Sequence, residues 1–145
     1  MPSSGAYFDT SVLVKRYLNE PGSMRARELL RQLSVVSSSL APVEATSAVL
    51  RRVRVGELDE RVAWAVIRRL ADDRVGWELV DVESTVLARA ESLVHDVAVT
   101  TLDAIHIASA LVVVEGMIRR VPFVTADARQ RVAAERANLQ VVWVR

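Results

Sequence analysis

The sequence predicts an α/β protein in which a central, mostly parallel sheet carries helices on both faces. Three features point there. Short apolar runs such as "AYF", "VVSSS" and "PFVT" alternate with longer segments whose apolar residues recur at helical spacing. Hydrophobic residues make up 51% of the chain, enough for a substantial core. Only 5 Gly and 4 Pro interrupt the 145 residues, with no linker, repeat or low-complexity tract, so residues 1–145 read as one unit.

Taken in order, Ala6 to Phe8 reads as a short strand and Thr10 to Leu18 as an amphipathic helix ended near Pro21 and Gly22. Ser23 to Leu33 follows as a second helix, with Met24, Leu29, Leu30 and Leu33 near helical spacing. Val35 to Ser38 is strand-like. Pro42 sits in a first helical turn, where its missing N–H is not needed, and Val43 to Val53 continues that helix. Gly56 breaks the pattern, and Asp59 to Ala71 resumes it with Val62, Val66, Ile67 and Leu70 on one face. The stretch from about Arg51 to Arg74 therefore reads as a helical hairpin standing on the sheet. Glu78 to Val82 is strand-like, Ser84 to Val94 helical, and Thr101 to Val114 an apolar helix. Pro122 to Thr125, Asp127 to Ala137 and Val141 to Val144 complete the alternation as strand, helix and strand.

Composition excludes several classes of chemistry. With no Cys there is no disulfide framework, thiolate zinc site or cysteine nucleophile. Met1 to Gly5 lacks the basic start and apolar core of a signal peptide, and no run approaches membrane-spanning length, which predicts a soluble, cytoplasmic protein with no membrane partner. The net charge of +1 does not by itself single out nucleic acid. Lys15 is the only lysine, however, so nearly all positive charge is guanidinium, suited to bidentate phosphate contacts. An arginine-rich composition inherited from a GC-rich genome accounts for the same bias.

In a parallel α/β sheet, ligands bind beyond the carboxyl ends of the strands. Four acids fall at strand exits or in the helical turns that follow. Asp9 follows "AYF", Glu44 lies in the first turn after "VVSSS", Asp103 begins "LDAIHIASAL", and Asp127 follows "PFVTA". Each has a capping alternative: Asp9 and Asp127 as N-caps, Thr100 with Asp103 as a capping box, and Glu44 as a favourable charge at a helix start. Caps alone predict acids scattered over many helix starts, whereas these four fall where one end of one sheet can gather them. Crowded carboxylates raise one another's pKa and need a positive partner. With only two His and no Cys, the all-oxygen set favours a hard cation, Mg²⁺ or Mn²⁺, and so metal-assisted phosphodiester chemistry.

The segments "YFDTSVLVKRYL", "APVEATSAV", "TTLDAIHIASAL" and "FVTADARQRVAAERANLQVV" resemble, in order, the four motifs of PIN-domain ribonucleases. The short format resembles the VapC toxins of bacterial VapBC toxin–antitoxin modules. The resemblance spans nearly the whole chain and implies a three-layer PIN-like sandwich. It places Asp9, Glu44, Asp103 and Asp127 at the acidic metal-binding positions, with Thr10 and Thr125 as supporting hydroxyls. It also implies Mg²⁺- or Mn²⁺-dependent endonucleolytic cleavage of RNA to 5′-phosphate and 3′-hydroxyl ends, with inhibition by a small VapB-type antitoxin. Asn138 stands where many relatives end the last helix with Gly; Asn also tolerates the left-handed conformation.

Other features admit two readings each. His106, three residues after Asp103, is expected to be a packed, hydrogen-bonded histidine rather than a base or ligand, and His95 a contact to a helix C-terminus. Arg51, Arg52, Arg54, Arg68, Arg69 and Arg74 form either an RNA-binding flank or a solvated face. Trp64 with Val55 and Leu58 forms either an antitoxin groove or ordinary core. Leu111 to Val114 cover much of a helix circumference, which suggests a homodimer surface or a helix buried all round. Aspartyl phosphoryl transfer shares the sheet and the first Asp. It fits poorly, because Ser11 stands where a dehalogenase-like phosphatase needs a second Asp, and Lys15 is too early for a receiver lysine. A housekeeping RNA-processing nuclease, and a PIN-like fold kept only for protein binding, complete the alternatives.

Overall fold

Five strands build one sheet: β1 (Gly5–Phe8), β2 (Ser34–Ser38), β3 (Glu78–Val80), β4 (Phe123–Thr125) and β5 (Val141–Trp143). The computed structural model describes residues 4–117 and 120–145; the reading of Met1 to Ser3 as free of a signal segment lies outside them. The strand order is β3-β2-β1-β4-β5, and every pairing is parallel. From β1 the chain steps outward to β2 and β3, then returns to lay β4 and β5 on the other side. The direction of winding therefore reverses between β1 and β4, the place where such sheets open a crevice.

Strand periodicity sorts the core into two layers. Tyr7, Val36 and Phe123 face one way, into a core shared with α5 (Ser84–Asp96), α6 (Thr101–Met117) and α7 (Ala128–Arg136). Their neighbours Ala6, Phe8, Val35 and Val124 face the other way, against α1 (Thr10–Leu13) and α2 (Ser23–Gln32). This is the three-layer arrangement expected. The hairpin is present as α3 (Ala41–Arg54) and α4 (Glu60–Asp73), which begins earlier than Arg51. Its core of Val49, Ala63 and Val66 closes on Leu18, so the hairpin rests on the segment after α1.

Several expectations are corrected. The helix from Thr10 does not reach Leu18: it tightens into a 3-10 turn at Val14–Arg16 and ends in a bend. Val12, Leu13 and Val14 are all buried, so consecutive side chains are covered and helical spacing gave no stop signal. Met24 is 84% exposed and Val62 also faces out, so neither belongs to its helix's core stripe. Trp64 is 55% exposed, which rules out the core reading of that residue. Leu111 and Val113 are buried and Val112 and Val114 pack partly against the same core, so α6 is covered by its own chain. That run no longer argues for a second copy. Among the described residues no single helix is long and apolar enough to cross a membrane.

Turn chemistry fixes two junctions. Asn138 has φ of 64°, and Leu139 N–H donates to the Ala134 carbonyl at 3.0 Å, the left-handed C-terminal stop its amide permits. Gly22 precedes α2 with φ of 87°, and a Cβ there would lie 2.7 Å from the backbone carbonyl of Arg145. Gly22→Ala is accordingly expected to cost at least about 1 kcal/mol of stability, through left-handed strain plus a backbone clash. Urea unfolding checks this, and an unchanged midpoint would contradict it.

Candidate active site

The four acids arrive at the same end of the sheet because their elements do. Asp9 follows β1, Asp127 follows β4, and Glu44 lies in the first turn of α3 after β2; these are the three central strands. Asp103 is in the first turn of α6. All four, with Thr10, Ser11, Arg51, His106 and Gln130, line one cavity of about 550 Å³ at the β1/β4 reversal. Thr125, in β4, lies behind the cavity wall and reaches it through Asp9.

Asp9 is only 1% exposed, yet no Lys or Arg among the described residues pairs with it. Hydroxyls hold it instead. Ser11 Oγ accepts from Ala126 N–H at 3.0 Å and donates to Asp9 Oδ1. Thr125 Oγ1 accepts from Asp127 N–H at 3.0 Å and donates to Asp9 Oδ2 at 2.6 Å. Because backbone N–H groups of the β4–α7 turn fill one side of each hydroxyl, its single proton is directed at the carboxylate. Asp9 does also cap α1, accepting from Val12 N–H, but at 3.4 Å this is the longest of its bonds. Burial pushes the Asp9 carboxyl above the ordinary Asp value, while Ser11, Thr125 and the nearby His106 pull it back down.

Glu44 is held through one oxygen. Its Oε1 accepts from Thr10 Oγ1 at 3.0 Å and lies 2.6 Å from His106 Nε2. Asp103 Oδ1 accepts from Gln130 Nε2 at 3.1 Å, and Asp103 N–H is capped by Thr100 Oγ1 at 3.3 Å. Asp127 caps α7, its Oδ1 accepting from Arg129 and Gln130 N–H at 2.8 and 3.2 Å. So capping is real at Asp127 and partial at Asp9. The second oxygens of Glu44, Asp103 and Asp127 accept no hydrogen bond among the described residues.

These donors fit a hard cation in kind. The set is all oxygen, it keeps open lone pairs, and the buried Asp9 has no ion-pair partner among the described residues. In this conformation, among the described residues, no three acidic or imidazole side chains come close enough together to chelate an ion.

Sequence reasoning missed two neighbours, Ser11 and Gln130, and one contact of His106. Ser11 was weighed only as a missing second Asp, although a hydroxyl two residues past a buried carboxylate is a standard donor position. Gln130 sits one turn past Asp127, and its Oε1 is buried without a hydrogen-bond partner among the described residues. His106 is packed and hydrogen-bonded as expected, but it also touches Glu44. Of the six flagged arginines, Arg51 alone lines this cavity; Arg52 is bound to Glu20 and Glu57, and Arg69 faces a separate groove between α2 and α4.

The fold and site together define an α/β protein with an acidic, cation-poor cavity at the reversal point of a parallel sheet. Residues 6–136 match the PIN-domain family, and the chain belongs to it. Members of that family are typically nucleases and generally metal-dependent. Similar solved structures include a VapBC2 complex of Rickettsia felis bound to a promoter DNA fragment, with TM-score 0.66, 14% identity and coverage of 97% of this chain and 98% of that one. A toxin–antitoxin complex of Klebsiella pneumoniae gives TM-score 0.61 at 15% identity over 87% and 89% of the two chains. PAE2754 of Pyrobaculum aerophilum gives 0.63 at 16% identity over 99% and 91%. These likenesses show the fold. No curated protein matches the sequence.

Proposed function

We propose that the chain is a Mg²⁺- or Mn²⁺-dependent endoribonuclease and the toxin of a toxin–antitoxin pair. The observation that carries this is that four carboxylates, from four separate elements, line one cavity where Asp9, Asp103 and Asp127 have no basic partner among the described residues. Family membership supports the nuclease reading, and likeness to structures titled as toxin–antitoxin complexes supports the biological role.

Asp9, Glu44, Asp103 and Asp127 would hold the cation, with Thr10 and Thr125 supporting Glu44 and Asp9. When bound, the cation supplies Lewis acidity and charge neutralisation at a phosphodiester. Ser11 and Thr125 keep Asp9 in one orientation, so this carboxylate needs no rearrangement to serve. Arg51, at the cavity wall and exposed, offers a guanidinium to a neighbouring phosphate of a single strand. Val43 and Leu102, exposed on the same wall, offer apolar surface to unstacked bases. Hydrolysis adds water across the P–O3′ bond, leaving 5′-phosphate and 3′-hydroxyl ends. The partner expected in the cell is a small VapB-type antitoxin; exposed Trp64 and Val55 offer it an apolar contact. Action in the cytoplasm completes the reading.

The test is incubation of purified protein with a mixed RNA pool in Mg²⁺, Mn²⁺ or EDTA, with the product ends mapped. Cleavage in either metal, its loss in EDTA, and 5′-phosphate ends are expected. Absence of cutting in both metals, or equal cutting in EDTA, would reject the proposal.

A further inference from the structure

The core between β1 and α6 holds two polar groups that packing does not require. Tyr7 is wholly buried, its ring stacked on Phe123 with centroids 5.3 Å apart. His106, on α6, is 1% exposed. Leucine or phenylalanine would fill such space without the cost of burying a hydroxyl and an imidazole. The two groups instead bond to each other, Tyr7 hydroxyl to His106 Nδ1 at 2.8 Å, and the far nitrogen, Nε2, lies 2.6 Å from Glu44 Oε1. The line of hydrogen bonds thus runs from the middle of the core to one carboxylate at the cavity.

The direction of that line follows from proton counting. Glu44 Oε1 already takes the Thr10 proton, and a carboxylate oxygen only accepts. Nε2 must therefore carry a hydrogen, since a bare lone pair 2.6 Å from that oxygen would be repelled. On the other side of the ring Nδ1 is held by the Tyr7 hydroxyl at 2.8 Å, so the imidazole is pinned at both nitrogens. Loss of that hydroxyl frees the ring to turn Nε2 away from Glu44. Glu44, half-exposed on a helix surface, would then lose one of its two tethers and regain rotamer freedom.

We infer that Tyr7 and His106 are positioning residues, a two-link relay that fixes the Glu44 carboxylate by holding the imidazole with Nε2 towards it. The inference rests on the proposed function in one respect, that Glu44 serves a divalent cation. Outer groups that orient metal ligands commonly govern affinity in this way.

Two readouts test it. Long-range ¹H–¹⁵N NMR of the metal-free wild type is expected to show a proton on His106 Nε2, and Tyr7→Phe to show a shifted or exchange-broadened Nε2 signal. Calorimetric Mn²⁺ titration is expected to weaken about tenfold in Tyr7→Phe and His106→Leu. His106→Gln, whose amide reaches the Nε2 position, is expected to keep most of the affinity. His106→Asn, whose shorter amide reaches only the Nδ1 position, is not. A purely structural role would lower melting temperatures across the set without that Gln/Asn split. A His106 Nε2 without a proton in the wild type, or Mn²⁺ binding unchanged in Tyr7→Phe and His106→Leu, overturns the relay. Unchanged Mn²⁺ binding with RNA cleavage intact rejects the relay alone, Mn²⁺ binding with the expected split but no RNA cleavage rejects the nuclease reading alone, and no binding by the wild type rejects both.

Discussion

Asp9→Asn is expected to lower RNA cleavage at least about a hundredfold, at or beyond the upper end of what losing an outer-shell partner costs a metal site. The fold should survive. The amide keeps the shape, can accept from one of the two hydroxyls and can donate to the other, and the capping bond to Val12 N–H was already the longest. The pH dependence separates this from a capping role. Burial raises the Asp9 carboxyl above its ordinary value, so the native state holds a proton that the unfolded chain releases at lower pH. Its contribution to stability is therefore present in full below the ordinary Asp value and is lost as pH rises through the raised native value. Asn cannot ionise. Relative to wild type, the variant should gain stability as pH rises through that window, measured by thermal unfolding at a series of pH values. A variant that cuts RNA normally, or that loses ground to wild type with rising pH, contradicts the assignment.

Phe123→Ala should cost about 3–5 kcal/mol of stability, or roughly a 10–16 °C fall in Tm. Phe123 is fully buried on β4, beside the central strand, and stacks on Tyr7 at an interplanar angle of 7°. The hole would open in the layer shared with α5, α6 and α7, which is built from both ends of the sequence and has little room to collapse. Tyr7 would lose its stacking partner, so activity should fall with stability. Phe123→Leu should cost much less, because most of the volume remains. Denaturant unfolding of both variants checks the ranking.

Much of this molecule is written locally. The strand–helix alternation, the position of Asp9 after β1 and of Glu44 after β2, and the left-handed stop at Asn138 all follow from spacing and turn chemistry within a few residues. Other features depend on contacts that spacing does not encode. The bond between Tyr7 and His106 joins residues 99 apart, and that between Thr125 and Asp9 joins residues 116 apart. The early end of α1 was hidden because Val12, Leu13 and Val14 are covered on all sides, by the sheet layer and by the hairpin. Conversely, Met24 and Val62 fit a helical stripe yet face outward, because apolar identity does not force burial. Trp64 is the same lesson with a further consequence, since a large exposed indole on α4 leaves a surface for a partner. Arginine roles were likewise ambiguous in sequence; the structure pairs Arg52 with Glu20 and Glu57 and places Arg51 on the cavity wall.

The most direct test of the central claim is calorimetric titration of Mn²⁺ into the wild-type chain and into Asp9→Asn. A saturable site in the wild type that is lost or greatly weakened in the variant is the expected result. No saturable binding by the wild type would show that these carboxylates do not hold a metal, and equal binding by both would show that Asp9 is not a ligand.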